Sequence, residues 1–207
     1  MSICGKITKN QAFDCAAPMT GGAKDAVYVF NHEDIDTLTR DVANPQVLRG
    51  ITMKGATKGF LWEGPPNSVI ASAKLQRKKY KNSYEQIVGV PLMANTSELK
   101  TELEKAGYGK FLVIVENNHQ VGDSIFEVYF LDRGGILIKN ERDIVNADLE
   151  GGYDINFGQE DTARESHLPA TFAVTASPGD DGEGQPLPAV YSYAATKSAL
   201  EALISAT

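Results

Sequence analysis

Cysteine, histidine and tryptophan are scarce: the 207 residues contain two, three and one of them. Cys4 and Cys15 form no CxxC pair and have no histidine close by in sequence, so no zinc site is indicated, and a cytoplasmic compartment would keep both thiols reduced. His32, His119 and His167 are scattered, which leaves every serine and cysteine without an identifiable catalytic partner; all three read as surface residues. No apolar run approaches the roughly 20 residues that cross a bilayer. The start, Met1-Ser2-Ile3-Cys4-Gly5-Lys6, lacks the long apolar segment of a secretory signal, so synthesis in the cytoplasm without membrane contact is expected. Excess positive charge is missing too: a net charge of −7 argues against a general nucleic-acid coat. Gly21-Gly22 and Gly134-Gly135 are not followed by the GK[ST] of a phosphate loop, and Asp34 with Asp36, or Asp14 with Asp25, lack EF-hand spacing. No cofactor or metal is expected.

What is present suits a single globular domain over residues 1–207. Hydrophobic residues at 42% and charged residues at 23% are close to the composition of ordinary globular proteins, which indicates neither global disorder nor a membrane span. The clearest unit runs from Asn95 to Lys139. Asn95 can cap a helix, with Glu98 placed for a capping box, and Leu99, Leu103 and Ala106 share one face of it. Gly107 and Gly109 end that helix, and Phe111 to Val115 follows as a strand, with further strands at Ser124 to Leu131 and Ile136 to Ile138. Asp132-Arg133-Gly134-Gly135 between the last two reads as a hairpin turn.

Upstream, residues 1–25 read as an N-terminal arm, broken by Pro18 and Gly21-Gly22. Ala26 to Phe30 is a strand and Asn31 to Asp36 the turn that ends it; Val47 to Met53 and Phe60 to Trp62 suggest an antiparallel meander, with Trp62 as an anchor. Tyr84 to Met93, with Pro91 near its end, suggests an edge strand or a strand terminus. Downstream, Tyr153 to Phe157 and Ala170 to Thr175 are strands, and Ala199, Leu200, Leu203 and Ile204 form the stripe of a helix over Thr196 to Ser205. Strands outnumber helices. The expected class is therefore a β-rich α+β fold, an antiparallel β-sandwich or barrel flanked by one central helix and a C-terminal helix.

Two charged stretches stand out. An extended insertion over residues 64–84 becomes basic in its second half, where Lys74, Arg77, Lys78, Lys79 and Lys81 interleave with Leu75 and Tyr80. A Gly/Pro loop over residues 177–188 carries Asp180, Asp181 and Glu183. Either can be a solvated face. The basic stretch can equally dock an acidic partner or nucleic acid, with salt-sensitive association as the consequence.

Tyr193-Ala194-Ala195-Thr196-Lys197 resembles the active-site helix of short-chain dehydrogenases, where tyrosine moves a proton and lysine lowers its pKa. Residues 1–40 contain no GxGxxG, however, and the chain ends at Thr207 without the elements that normally follow that helix. A divergent Tyr-Lys oxidoreductase is thus the secondary reading.

Cys4-Gly5, Asp14-Cys15, Pro18, Gly21-Gly22, Asp25 and the strand leading to Asn31 and Asp34-Ile35 form a second pattern. Val115-Glu116, Glu127-Val128-Tyr129 and a C-terminal helix follow in order. Together they resemble structural proteins of tailed phages and prophages of the Bacteroidetes, most nearly tail tube proteins. The resemblance implies a non-enzymatic subunit that assembles with copies of itself into stacked rings around a DNA-conducting lumen, in a virion built in the bacterial cytoplasm. Other virion proteins would be its further partners, DNA would pass without specific binding, and a capsid decoration, neck or tail terminator role is the alternative. The basic insertion and the acidic loop would then pair between subunits, making Lys74, Arg77, Lys78, Lys79, Lys81, Asp180, Asp181 and Glu183 the expected assembly interface.

Overall fold

Val27 and Val29 turn to one side of the first strand, β1 (Ala23–Asn31), and Tyr28 and Phe30 to the other, and all four are buried. A strand that is apolar on both faces has to be covered on both, and the rest of the chain does this. The computed structural model describes residues 21–77, 82–119, 125–142, 151–176 and 190–205. After a 3-10 turn at His32–Asp34 come β2 (Ile35–Arg40), β3 (Val47–Met53), β4 (Phe60–Glu63), β5 (Ile70–Arg77) and β6 (Asn82–Leu92). Helix α1 (Ser97–Ala106) precedes β7 (Phe111–Asn117), β8 (Phe126–Tyr129) and β9 (Ile136–Glu141). The described chain closes with β10 (Tyr153–Gly158), β11 (Ala170–Phe172), β12 (Thr175–Ala176), β13 (Val190–Tyr191) and α2 (Tyr193–Ala202).

The strands form a seven-stranded sheet, ordered β2-β3-β11-β8-β7-β1-β4, and a four-stranded sheet, ordered β5-β6-β10-β9; β12 and β13 pair separately. One core joins the two sheets, with Val27, Val113 and Val115 meeting Val88, Val90, Ile155 and Phe157. A second core lies on the other face of the larger sheet, where Phe30, Leu112, Ile114 and Phe126 meet Leu200 of α2, with Ala199, Leu203 and Ile204 against it. Helix α1 joins the first core through Leu103 and Ala106, while Leu99 packs half-buried against it. The result is the expected β-rich α+β sandwich with a central and a C-terminal helix.

Several local expectations are corrected. Thr96 caps α1, accepting from Leu99 N at 3.1 Å, so the cap lies one residue past Asn95 and the box with Glu98 does not form. The turn after β1 is only three residues, and Ile35 already opens β2. Residues 47–62 form no meander: β3 pairs antiparallel with β2 and parallel with β11, while β4 pairs with β1. That choice places Trp62 opposite Val27 and its ring 5.4 Å from that of Phe157, so the large aromatic is packed against the inter-sheet core. Pro91 does sit at a strand end, but β6 is interior, between β5 and β10. Helix α2 begins at Tyr193, three residues before the expected start, with Ser192 accepting from Ala195 N.

The largest departure concerns Asp132 to Gly135, which makes no hairpin because β8 and β9 belong to different sheets. Here the chain crosses from one layer to the other. Phe130 adopts φ +62 with its side chain fully buried, and Gly134 adopts φ +71; a Cβ on Gly135 would lie 2.6 Å from the Phe130 ring. A bulky residue in the left-handed region costs on the order of 1–3 kcal/mol and needs its surroundings to hold it. Buried Gln86 does so through Oε1, which accepts from Phe130 N at 2.7 Å, and its Nε2 donates to His167 O. Buried Glu165 accepts from Asp132 N, Arg133 N and Gln159 Nε2 on one carboxylate oxygen.

Burial, aided by the neighbouring Asp132 charge, holds the Glu165 carboxyl above its ordinary value despite these hydrogen bonds. A raised carboxyl pKa stabilises the fold at pH below the unfolded value near 4.5, and that contribution fades as pH climbs through the folded value. Denaturant titrations across this range should therefore show the native protein losing stability relative to Glu165→Gln as pH rises. Parallel pH profiles for the two proteins would contradict the assignment.

Candidate functional site

Of the eight residues expected at an assembly interface, the structure places two. Lys74 and Arg77 lie exposed on β5, and neither forms a salt bridge among the described residues. Lys74 stands opposite Glu85 in the β5–β6 register, but Glu85 is engaged by Gln76 at 2.9 Å and Arg164 at 3.2 Å. Lys78, Lys79, Lys81, Asp180, Asp181 and Glu183 fall outside the described residues, as do Cys4, Cys15 and most of the N-terminal arm. Residues 70–77 and 82–92 form the paired strands β5 and β6, with β5 at the edge of the four-stranded sheet among the described residues.

A second locus forms where β1, β7 and α2 meet. The β1–β7 register shifts between Ala23 and Val27, and Lys24 and Asp25 lie within that irregularity. Irregularities of this kind re-aim side chains near functional surfaces. Glu116 on β7 is 4% exposed, and the Lys24 ammonium pairs with its Oε1. The hydrogen bond and charge of Glu116 hold the Lys24 ammonium above its usual value against the opposing effect of burial. Tyr193, the first residue of α2, stacks on Phe126 with ring centroids 5.9 Å apart and donates its hydroxyl to Glu116 Oε1 at 2.9 Å. Lys197, one helical turn on, approaches the same hydroxyl at 3.3 Å and Lys24 at 3.4 Å.

The tyrosine and lysine singled out by spacing are thus brought together, but their chemistry is directed elsewhere than the dehydrogenase pattern requires. The hydroxyl proton is committed to a buried carboxylate, and the sheet beneath is mixed rather than the parallel doubly wound sheet of a dinucleotide site. Among the described residues, no group of three or more histidines, cysteines and carboxylates is arranged to hold a metal ion.

No family model, curated protein or solved structure matches this chain.

Its own geometry therefore carries the functional reading. Around the Tyr193 cluster opens a cleft of about 660 Å³, lined also by Tyr28, Glu63, Asn67 and Glu201. Tyr28 is 5% exposed, and its hydroxyl has no hydrogen-bond partner among the described residues. Sequence reasoning did not assemble these groups, which come from four distant segments. The available signal was Glu116, an acidic residue closing the otherwise apolar run of β7.

The two tyrosines should behave differently. Tyr193→Phe keeps the stacked ring but loses its hydroxyl contacts with charged groups, and should lower stability in urea denaturation by about 1.5–3 kcal/mol. Tyr28→Phe loses a hydroxyl that binds nothing within the described chain, and should leave stability unchanged. Equal losses in the two variants would contradict this description.

Proposed function

We propose that the chain is a non-enzymatic structural subunit that self-assembles, of the kind that builds the stacked rings of a phage tail tube. The observation that carries this reading is β5, an eight-residue strand that among the described residues pairs with β6 alone and leaves Ile70 60% and Leu75 46% exposed. An edge this long and apolar is a template for another chain, and proteins that act alone shorten, cover or kink such edges. Lys74 and Arg77 on the same strand discourage indiscriminate pairing while leaving the edge open to a partner with acidic complement.

The larger sheet repeats the feature at its β4 edge, where Phe60 and Leu61 are exposed. Two unlike adhesive edges on one subunit favour head-to-tail contacts, which close into rings when the rotation between subunits divides a full turn. A capsid decoration, neck or tail terminator protein would use the same edges but stop at a discrete ring. In this reading the protein acts in the virion after synthesis in the bacterial cytoplasm, with other virion proteins as partners and DNA passing without specific capture. Among the described residues, no helix is long and apolar enough to cross a membrane. The acidic net charge supports a surface past which DNA slides.

Purified protein sized over a range of concentrations and salts, and imaged by negative-stain electron microscopy, should form rings or hollow tubes. Lys78→Glu combined with Lys79→Glu should reduce assembly while leaving the thermal unfolding midpoint in place. A stable monomer under every condition would remove the proposal.

A further inference from the structure

The cleft beside Tyr28 is charged in a way the fold does not use. Its walls bring two lysines together with four carboxylates, a formal excess of negative charge. Lys24 is engaged by Glu116, and Lys197 leans on the Tyr193 hydroxyl. Asp25 accepts from Asn67 N at 2.7 Å. Glu63 and Glu201, at the rim, have no ion pair among the described residues. Tyr28 lines the same cleft, its ring buried against Phe126 and its hydroxyl without a hydrogen-bond partner among the described residues. Burial and the carboxylates Glu116, Glu201 and Glu63 push this phenol up to about 12, so at neutral pH it remains a neutral hydroxyl. Unpaired carboxylates with a neutral phenol oxygen make a receptor for an ammonium or guanidinium group, and they repel phosphate.

We propose that this cleft receives the basic segment of a second copy of the chain that links β5 to β6, residues 77–81, a lysine or arginine head lodging between Glu63, Glu201 and the Tyr28 hydroxyl. The inference rests on the self-assembly reading and names the contact that would carry it. The occupant is favoured by charge, since Arg77, the last residue of β5, is followed in sequence by Lys78, Lys79 and Lys81 before β6 begins, and Lys74 and Arg77 have no salt bridge among the described residues.

It is favoured by geometry as well. Asn67, at the cleft, lies three residues before β5 begins at Ile70. From Ile70 to Arg77 an extended strand runs about 23 Å. Arg77 therefore lies at the end of β5 far from the cleft, out of reach of the cleft of its own subunit. Contact is made between copies, head to tail, and repeats around a ring or along a filament.

A synthetic peptide spanning residues 74–82, titrated calorimetrically into the full-length protein at low salt, provides the test. Binding should be saturable and fall as salt is raised. It should weaken at least tenfold in Glu63→Gln with Glu201→Gln, and several-fold in Tyr28→Phe, with thermal midpoints unchanged. In assembly, Glu63→Lys with Glu201→Lys should fail alone, Lys78→Glu with Lys79→Glu should fail alone, and the mixture should recover.

The inference is overturned if the cleft variants bind the peptide and assemble as the native protein does. Rings formed by those variants would remove the cleft and retain the tube reading. Peptide binding that the cleft variants abolish, in a protein that never forms rings, would do the reverse.

Discussion

The buried pair Gln86 and Glu165 holds the point at which the chain leaves one sheet for the other, and most of the architecture depends on that crossing. Phe130 has to adopt a backbone conformation that its size disfavours, so the segment stays in place only because its amides are held from outside. Gln86 takes the amide of Phe130, and Glu165 those of Asp132 and Arg133. Each polar group is itself buried, which makes leaving any one unpaired cost about 1–3 kcal/mol. Gly135 and Phe111 exchange backbone hydrogen bonds at 2.7 and 2.8 Å, fixing the start of β7 to the end of the crossing. Glu165 also reaches the hairpin through its carbonyl, which accepts from Tyr84 N at 2.8 Å.

This crossing determines where the open edges are. Had Asp132 to Gly135 closed a simple hairpin, β9 would have taken the place beside β8 in the larger sheet that β11 occupies. Sent to the other layer, β9 pairs with β10, and β5 forms the far edge of the four-stranded sheet among the described residues. The exposed apolar positions of β5 are thus consequences of layer assignment as much as of local sequence. The same layering buries both faces of β1 and β7 and brings Glu116 within reach of Tyr193 and Lys24. Core, cleft and edge belong to one arrangement.

Much of the fold class was legible because alternation is a local property. Phe111 to Val115 declares a strand buried on both sides, and Leu99, Leu103 and Ala106 declare a helix with one face to hide. The strand partners were not legible, since pairing is set by distant burial: Trp62 reaches Phe157, and this decides that β4 joins β1. Asp132-Arg133-Gly134-Gly135 carries every local sign of a hairpin, and only a glutamate 33 residues away reveals its different use. Thr96 and Asn95 are both competent caps, and the geometry of the approach selects the former. Tyr193 and Lys197 were visible by spacing. Their partners Lys24 and Glu116, and the nearby Tyr28, came together only through tertiary folding.

We propose that β5 is an open edge to which a second copy of the chain adds. Amide hydrogen exchange, compared between dispersed protein in high salt and the same protein at assembling concentration, reads that edge directly. Protection should rise across Ile70–Arg77 and stay constant in the interior strands β7 and β10. Unchanged exchange along β5 in an assembled sample would contradict the account.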